Sequence, residues 1–291
     1  MSTERHRFKV GTFECVAVSD GTFTYASPAS FLFVNAPKER LEQVVREHNL
    51  QPEKWVEWIS PYICLVVNTG KHRVLVDTGA GDLGPNTGKL LQNLRAEGIA
   101  PGDIETVIIT HGHPDHIGGN TVSEGKPAFP NARFVMWKDE WEFWASEPNL
   151  AELKVDEHIR RLLVTFARNN LLPILGQLDL VDHEMEILPG IRAIAAPGHT
   201  PGHMAVAISS GGEQLLCISD TVIHPIHVES PDWCADVDFA PEQVVSTRRR
   251  LLNKAAAEEA LVLAFHFPFP GLGHVVEKGE GWRWQPIEKM G

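Results

Sequence analysis

A cluster of side chains that could bind metal falls within six consecutive residues. Residues 111–116 read His-Gly-His-Pro-Asp-His, so three imidazoles and one carboxylate directly follow the apolar run 107–109. Imidazole nitrogen and carboxylate oxygen are the ligands that Zn²⁺ and similar divalent ions take where no thiolate is offered. His111 and His113 are two residues apart, so in extended backbone they point to the same side. A chance gathering of histidines in a polar loop is the competing interpretation, but four ligand groups at this spacing favour a metal site.

Three further candidate ligands follow apolar runs downstream. His199 follows 191–196, Asp220 ends the run 215–219, and His266 ends the run 261–265. Metal and catalytic groups commonly lie on loops that a rigid sheet holds in place. Taken singly, Asp220 could cap a turn and His266 could be a hydrogen-bonded core histidine. Taken with 111–116, the repeated order of strand, ligand and Gly- or Pro-containing loop predicts a centre for two metal ions.

Short apolar runs separated by Gly, Pro and Asp turns predict the elements that position these residues. The pattern indicates an α/β protein, with Pro241-Glu242 typical of a helical first turn. No repeat, low-complexity tract or long polar linker divides the sequence, so we expect a single domain over 1–291. Strands are predicted at 8–18, 62–68, 73–77, 105–110, 133–137, 191–196, 203–208, 215–219 and 261–265, and helices at 37–48, 87–97, 139–147, 151–170 and 241–257.

The charge of the chain argues against nucleic acid as a partner. The 38 acidic and 26 basic residues give a formal net charge of −12, and an acidic surface repels phosphate backbones. The densest basic run is Arg248-Arg249-Arg250, which we predict to be a solvated helix face. A small-molecule substrate is therefore the expected partner.

The sequence also favours a cytoplasmic protein with no membrane partner. No apolar segment typical of a secretory signal follows the N-terminus, and no run approaches the roughly 18 apolar residues that a membrane span needs. The four cysteines form no CxxC pair, which favours free thiols in a reducing compartment. These cysteines are Cys15, Cys64, Cys217 and Cys234.

The combined motifs resemble the metallo-β-lactamase superfamily of binuclear metal hydrolases. HxHxDH at 111–116 is followed by Gly198-His199, by Asp220 and by His266, and preceded by Asp77-Thr78-Gly79. The resemblance covers the chain from about 60 to 275 and is specific in its combination. It implies an α/β fold of the αβ/βα four-layer sandwich type, with two mixed β-sheets face to face and helices outside.

The resemblance also implies a role for each candidate ligand. His111, His113 and His199 would hold one metal, Asp115, His116 and His266 the other, and Asp220 would bridge the two. Asp77 would accept a hydrogen bond from a ligand imidazole and fix its tautomer. Two divalent ions are the implied cofactors, with Zn²⁺ favoured and Mn²⁺ or Fe²⁺ also compatible with nitrogen and oxygen ligands.

The C-terminal half narrows the resemblance to one branch. His266 to His274, followed by Gly281-Trp282, resembles methyl parathion hydrolase and its relatives, and Gly198 to His203 is shared with acyl-homoserine lactonases. This resemblance implies hydrolysis of small neutral ester-like substrates (a lactone, an aryl or alkyl ester, or a phosphotriester) by a metal-bridging hydroxide. Asp115 is then a candidate to orient the nucleophile or shuttle a proton, and His224 to polarise the substrate. A homodimer is expected because dimers are usual among these relatives.

Single residues and the net charge argue against several other functions of this superfamily. Asp220 argues against true β-lactamases, and His113 argues against the oxygen-reducing diiron branch, which has Glu there. The acidic charge disfavours a nuclease. A thioesterase of the glyoxalase II type, or a non-catalytic metal-binding sensor or effector, stays open as an alternative.

Two nearby groups are assigned structural roles. His203, four residues after His199, is predicted to support the site rather than bind metal. The aromatic residues at 137, 141, 143 and 144 fit one helix face and are predicted to pack in the core.

Overall fold

Two seven-stranded sheets form the centre of the part of the chain that the computed structural model describes, residues 4–122, 125–151, 153–279 and 281–288. In both sheets the strands lie in sequence order. The first sheet contains β1 (Arg5–Val10), β2 (Phe13–Ala26), β3 (Glu57–Asn68), β4 (Arg73–Val76), β5 (Thr106–Ile108), β6 (Arg133–Trp137) and β7 (Leu178–Val181). The second contains β8 (Glu186–Leu188), β9 (Ile191–Ala195), β10 (Met204–Ser210), β11 (Glu213–Cys217), β12 (Leu261–Leu263), β13 (Leu272–Lys278) and β14 (Gly281–Pro286).

Both sheets mix antiparallel and parallel pairing. In the first sheet β1 to β4 are antiparallel, and β4 to β7 are parallel. In the second sheet β11 and β12 are the parallel pair. Parallel neighbours need long crossover connections, because a tight turn cannot join them. The crossover from β5 to β6 contains residues 111–116, and the crossover from β11 to β12 contains Asp220. His199 and His266 instead lie on loops between antiparallel strands.

Helices cover the outer faces of the two sheets. The core between the sheets contains side chains from both, such as Val67 and Val206. Helices α3 (Leu90–Ala96), α5 (Lys138–Ala145) and α6 (Glu157–Leu171) pack on the first sheet, and α8 (Pro241–Ala257) packs on the second. The αβ/βα four-layer sandwich predicted from the sequence is therefore confirmed. The remaining α-helices are short or peripheral: α1 (Pro28–Leu32), α2 (Lys38–Glu47), α4 (Pro114–Ile117) and α7 (Ile226–Glu229).

The predicted strand at 8–18 is wrong in one respect, because it is a hairpin. Strands β1 and β2 pair around Gly11-Thr12, and Gly11 has a positive φ of 55°. A Cβ at this glycine would lie 2.1 Å from the carbonyl oxygen of Ser210, so the other sheet approaches this turn closely. Strand β2 then continues to Ala26, well beyond the predicted end.

The helix predicted at 151–170 begins later than expected, and Glu152 of that prediction lies outside the described residues. Helix α6 begins at Glu157 because the Asp156 carboxylate accepts a hydrogen bond from the backbone N–H of Ile159 at 2.9 Å. An aspartate at this position is a strong N-cap. The prediction of a solvated basic face is also wrong for Arg248, which is fully buried, whereas the side chains of Arg249 and Arg250 are exposed.

The segment that contains α1 and α2 packs over one edge of the sandwich. Leu32, Phe33 and Trp58 form a small core with Ile226 and Trp233 from the α7 region. We call this the aromatic cluster. No helix of the described residues is long and apolar enough to cross a membrane.

Candidate metal centre

The 111–116 loop begins where β5 ends in the core. His111 and His113 flank Gly112, and His113 is the residue before α4, whose first position is Pro114. A Cβ at Gly112 would lie 2.4 Å from the Trp144 indole nitrogen. Only glycine therefore allows this loop to lie against α5 with both imidazoles directed to the same point.

Three imidazoles meet in a first group. Nδ1 of His113 lies 3.1 Å from Nε2 of His111 and 2.9 Å from Nε2 of His199. All three side chains are buried, and their nitrogens are close enough together to share one cation.

A second group forms beside the first. Nε2 of His266 lies 3.4 Å from an Asp115 oxygen and 3.1 Å from Oδ2 of Asp220. Oδ1 of Asp220 lies 3.2 Å from Nε2 of His116, and its Oδ2 lies 3.4 Å from Nε2 of His199. Asp220 therefore lies between the groups, and all seven predicted ligands come together at one edge of the sandwich.

The outer ring nitrogens of these histidines have partners that set the tautomer. Nδ1 of His116 lies 2.8 Å from Asp77, as predicted, and Nδ1 of His199 lies 2.8 Å from Asp238. A carboxylate can only accept, so both imidazoles carry their proton on Nδ1 and direct the Nε2 lone pair inward. Ser60 Oγ lies 2.8 Å from Nδ1 of His266.

This donor set fits divalent cations. In their neutral forms, His116 and His199 direct Nε2 lone pairs at the Asp220 oxygens at 3.2 Å and 3.4 Å, and two lone pairs cannot satisfy each other by hydrogen bonding. Nε2 of His116 and Oδ1 of Asp220 are buried, and neither has a hydrogen-bond partner among the described residues. Buried polar atoms of this kind are costly unless a proton or a metal ion compensates them.

The charge state of three of these groups agrees with metal binding. Burial, together with neighbouring imidazoles, lowers the pKa of His111 and of His113 well below the usual range, so both stay neutral. Burial alone would raise the pKa of Asp220, but His266 and His116 beside it hold that pKa well below its usual range. Neutral imidazole and ionised carboxylate are the forms that bind metal.

For His116 and His199, burial alone would lower the pKa, but Asp220 beside His116 and Asp238 beside His199 raise it. A metal ion there would therefore displace a proton.

Glu140 is a supporting residue that the sequence did not reveal. It is buried on α5 and accepts hydrogen bonds from the backbone N–H of Gly112 at 2.8 Å and of Gly202 at 2.9 Å. It also accepts from the Trp144 indole at 2.7 Å and from the Thr200 hydroxyl at 2.6 Å. One carboxylate therefore joins the loop of His111 and His113 to the loop of His199.

A buried cation supports the His199 side of the centre. The Arg248 guanidinium donates to the carbonyl oxygens of Thr221, Pro231 and Trp233, and lies 3.9 Å from Asp238. Asp238 in turn accepts from the Ala235 backbone N–H and from His199. Arg248 thus connects α8 with the residues that follow Asp220.

The other histidines take different places. His203 accepts a hydrogen bond from the backbone N–H of Asp220 at 3.2 Å, and its Nδ1 lies 3.0 Å from the Ala196 carbonyl. This is the supporting role predicted for it, and burial lowers its pKa to about 3. His274 lies half-buried on β13, outside the groups of metal-ligating side chains found among the described residues.

His224 lies outside the seven-residue group, in the aromatic cluster. Its ring is 5.8 Å from Phe33, 5.5 Å from Trp55 and 5.9 Å from Trp58, measured between centroids. Trp58 also lies 6.0 Å from the His266 ring, so it connects His224 with the centre. Trp141, Phe143 and Trp144 pack in the outer core of the first sheet and Trp137 packs between the two sheets, so these aromatic residues belong to the core, as predicted.

Comparisons with known proteins agree with this geometry. N-acyl homoserine lactonase from Bacillus thuringiensis is 25% identical over 228 residues, which cover 71% of this chain and 81% of that protein. AidC, described as a dizinc quorum-quenching lactonase in complex with a product, is 27% identical, with a TM-score of 0.91 over 99% of both chains. The hydrolase AbOPH of the β-lactamase superfamily is 28% identical, with a TM-score of 0.89 over 100% of both chains.

The family model of the metallo-β-lactamase superfamily matches residues 61–280, which is most of the chain. That range includes every candidate ligand from His111 to His266. The chain belongs to the metallo-β-lactamase superfamily.

Proposed function

We propose that this protein is a binuclear metal-dependent hydrolase of small ester-like substrates, with lactones as the favoured class. The observation that carries the proposal is the meeting of five inward-facing imidazole nitrogens with the Asp115 and Asp220 carboxylates in a buried site. The similarity to a dizinc lactonase over 99% of the chain supports the same conclusion.

The candidate ligands divide into two sets that share a bridge. His111, His113 and His199 would hold one ion, Asp115, His116 and His266 the other, and Asp220 would contact both. Zn²⁺ is the favoured metal because the set offers imidazole nitrogen and carboxylate oxygen. When bound, two such ions would polarise a carbonyl or phosphoryl oxygen and lower the pKa of a water molecule to near neutrality.

Residues of the chain then orient the reactants. Asp115 is the more exposed carboxylate of the two, with 12% of its side chain accessible against 5% for Asp220. It is therefore placed to accept a hydrogen bond from the attacking water as well as to bind metal. Asp220 is fixed by the His203 contact to its backbone and serves as the rigid bridge.

His224 is proposed to orient the substrate as a neutral donor. Its Nδ1 accepts a hydrogen bond from the backbone N–H of Ile226 at 3.2 Å, so the proton lies on Nε2. Burial lowers the pKa of His224 to about 3, which keeps the ring uncharged at neutral pH. A neutral N–H among Phe33, Trp55 and Trp58 suits a carbonyl oxygen on an apolar substrate better than a charged group.

The proposal is tested by metal content and turnover measured on the same sample. We expect about two equivalents of divalent metal by elemental analysis, and turnover of a lactone, an aryl ester or a phosphotriester in a matched panel. S-lactoylglutathione and RNA belong in the panel as substrates of the alternative classes. Metal-loaded protein that hydrolyses none of the ester-like substrates would contradict the proposal, and hydrolysis of the thioester alone would assign a thioesterase.

The His113→Ala variant links activity to the centre. We expect it to lose most of the metal at one position and nearly all turnover, because His113 contacts both His111 and His199. His183→Ala is the matched control, since that histidine is 71% exposed and its one ion-pair partner among the described residues is Asp182. Full metal occupancy with wild-type rates in His113→Ala would be incompatible with the assignment.

A further inference from the structure

The chain contains two tyrosines, and they hydrogen-bond to each other beside the candidate metal centre. Tyr25 lies on β2 and Tyr62 on β3, and their hydroxyl oxygens are 2.7 Å apart. Tyr62 is fully buried, whereas Tyr25 is partly exposed. Neither tyrosine is among the candidate ligands or the residues that fix them.

The positions of the two tyrosines on β2 and β3 place them beside the candidate metal centre. Residues two apart in a strand share a face, so Trp58, Ser60 and Tyr62 of β3 lie on the same side of the sheet, and all three are buried. Ser60 contacts Nδ1 of His266, and the Tyr62 ring packs edge-on against the His266 ring with centroids 5.4 Å apart. Tyr25 pairs with Trp58 across the strands and stacks on it at 5.5 Å.

The count of hydrogens leaves one hydroxyl donor free. Two hydroxyl groups carry two hydrogens, and their mutual hydrogen bond uses one. Neither oxygen has another hydrogen-bond partner among the described residues. Burial and, to a smaller extent, the nearby charge of Asp115 raise the pKa of Tyr25 and of Tyr62 well above the usual range, so both hydroxyls stay protonated.

We propose that the Tyr25–Tyr62 hydroxyl pair is the hydrogen-bond donor to the leaving oxygen of an ester or lactone substrate. This inference rests on the proposed function, because it names the chain's own donor for that reaction. Tyr25 is the partner that contacts substrate, since it is the exposed member, and Tyr62 fixes it by donating to its oxygen. Both are therefore placed at the Asp115 and His266 side of the site.

The donor acts on an atom whose charge grows during hydrolysis. The oxygen of water forms a bond to the acyl carbon, and the bond from that carbon to the leaving oxygen breaks, with its electron pair going to the leaving oxygen. The leaving oxygen takes one hydrogen of the water and becomes the hydroxyl of an alcohol. The second hydrogen of the water is released when the product acid ionises. The tyrosine hydroxyls keep their own hydrogens, and the hydrogen bond stabilises the charge on the leaving oxygen as it forms.

A leaving-group comparison tests the proposal. Tyr25→Phe and Tyr62→Phe are assayed with a lactone, whose leaving oxygen becomes a basic alkoxide, and with a 4-nitrophenyl ester of the same acyl chain length. We expect kcat to fall on the order of 100-fold for the lactone, by analogy with the loss of a single oxyanion donor, and to change little for the nitrophenyl ester. The double variant should lose no more than either single variant, because the pair acts as one unit.

Metal content and a neighbouring hydroxyl provide the controls. All variants should retain the wild-type metal content, and Thr24→Val removes a hydroxyl from the exposed face of β2 without effect. Equal losses for both substrates would assign the pair a structural role and overturn the proposal. Unchanged lactone kinetics would overturn it as well.

Binding measurements separate this inference from the proposed function. The hydroxy acid that a lactone yields on hydrolysis is titrated calorimetrically into metal-loaded protein, beside the same acid without its hydroxyl group. We expect Tyr25→Phe to weaken binding of the hydroxy acid about 5- to 10-fold, as for loss of one hydrogen bond, and to leave the other acid unaffected. If wild-type protein hydrolyses no ester, the proposed function fails, yet this comparison still supports or overturns the hydroxyl pair as a donor.

Discussion

Glu140 accepts a hydrogen bond from the backbone N–H of Gly112 at 2.8 Å, and this contact fixes the centre of the His-Gly-His motif to α5. The same carboxylate reaches the Thr200 hydroxyl and the Gly202 N–H on the loop of His199. Two candidate ligand loops that are far apart in sequence therefore share one buried anion. The spacing between their histidines depends on it.

The Glu140→Gln variant is expected to destabilise the fold and weaken metal binding together. All four contacts to the Glu140 oxygens come from donors, and an amide replaces one acceptor oxygen with a donor. At least one buried donor then has no acceptor, which costs about 2–4 kcal/mol of unfolding free energy when the lost acceptor is charged. Urea unfolding and metal titration measure the two effects.

A glutamate on the same helix provides the control for that variant. The Glu142 side chain is 60% exposed, and within the described part of the chain its ion-pair partner is Lys138, so Glu142→Gln should change the unfolding free energy by less than about 0.5 kcal/mol. Equal stability of the two variants would contradict the role assigned to Glu140.

Asp238→Asn is expected to weaken metal binding. Asp238 lies 2.8 Å from Nδ1 of His199 and holds its proton there. Loss of such a carboxylate partner typically reduces metal affinity about 10- to 100-fold. Competition with a chelator measures the affinity, and Asp232→Asn is the control, because that exposed carboxylate pairs with Arg249 at the surface. Wild-type affinity in Asp238→Asn would show that the tautomer of His199 is set by other contacts.

Arg248→Met is expected to cost about 3–5 kcal/mol of unfolding free energy, as for removal of one partner of a buried ionic network. The variant leaves three buried carbonyl oxygens without their donor and leaves Asp238 without its nearest cation. Arg249→Met, one residue along α8, removes only an exposed pair and should cost no more than about 1 kcal/mol. Denaturant unfolding that finds the two variants alike would contradict the buried network.

The candidate ligands could be predicted because each has a local signature. His111 follows the apolar strand β5 of the first sheet, whereas Asp220 and His266 follow the apolar strands β11 and β12 of the second sheet, which are parallel and therefore end at the same edge. The residues that support them have no such signature. An acidic residue on an amphipathic helix, such as Glu140, is usually solvated. The prediction of a solvated arginine run failed at Arg248 for a related reason, because a charged residue on a helix gives no local sign that it is buried.

Long-range contacts explain most of what the sequence could not reveal. Ser60 contacts His266 from 206 residues away, and Tyr25 meets Tyr62 only because β2 and β3 pair in one register. Strands β7 and β8 are only four and three residues long, too short for a clear alternation of polar and apolar residues. The layered fold, in contrast, follows from the order of long apolar runs and from the family resemblance.

The contribution of Asp20 to the stability of the protein should fall as pH rises from about 4 to about 6. Burial raises the pKa of this carboxyl to about 6, although the backbone N–H groups of Ala80, Gly88 and Leu90 donate to it. In that window the folded protein holds a proton that the unfolded chain has released, so each step up in pH favours unfolding, by at most about 3 kcal/mol in all. Urea unfolding of wild type and Asp20→Asn from pH 4 to 7, both with chelator so that metal binding does not contribute, measures the difference. Since Asn does not titrate, the wild type should lose stability relative to the variant across this range, and a constant difference would show that Asp20 keeps its ordinary pKa.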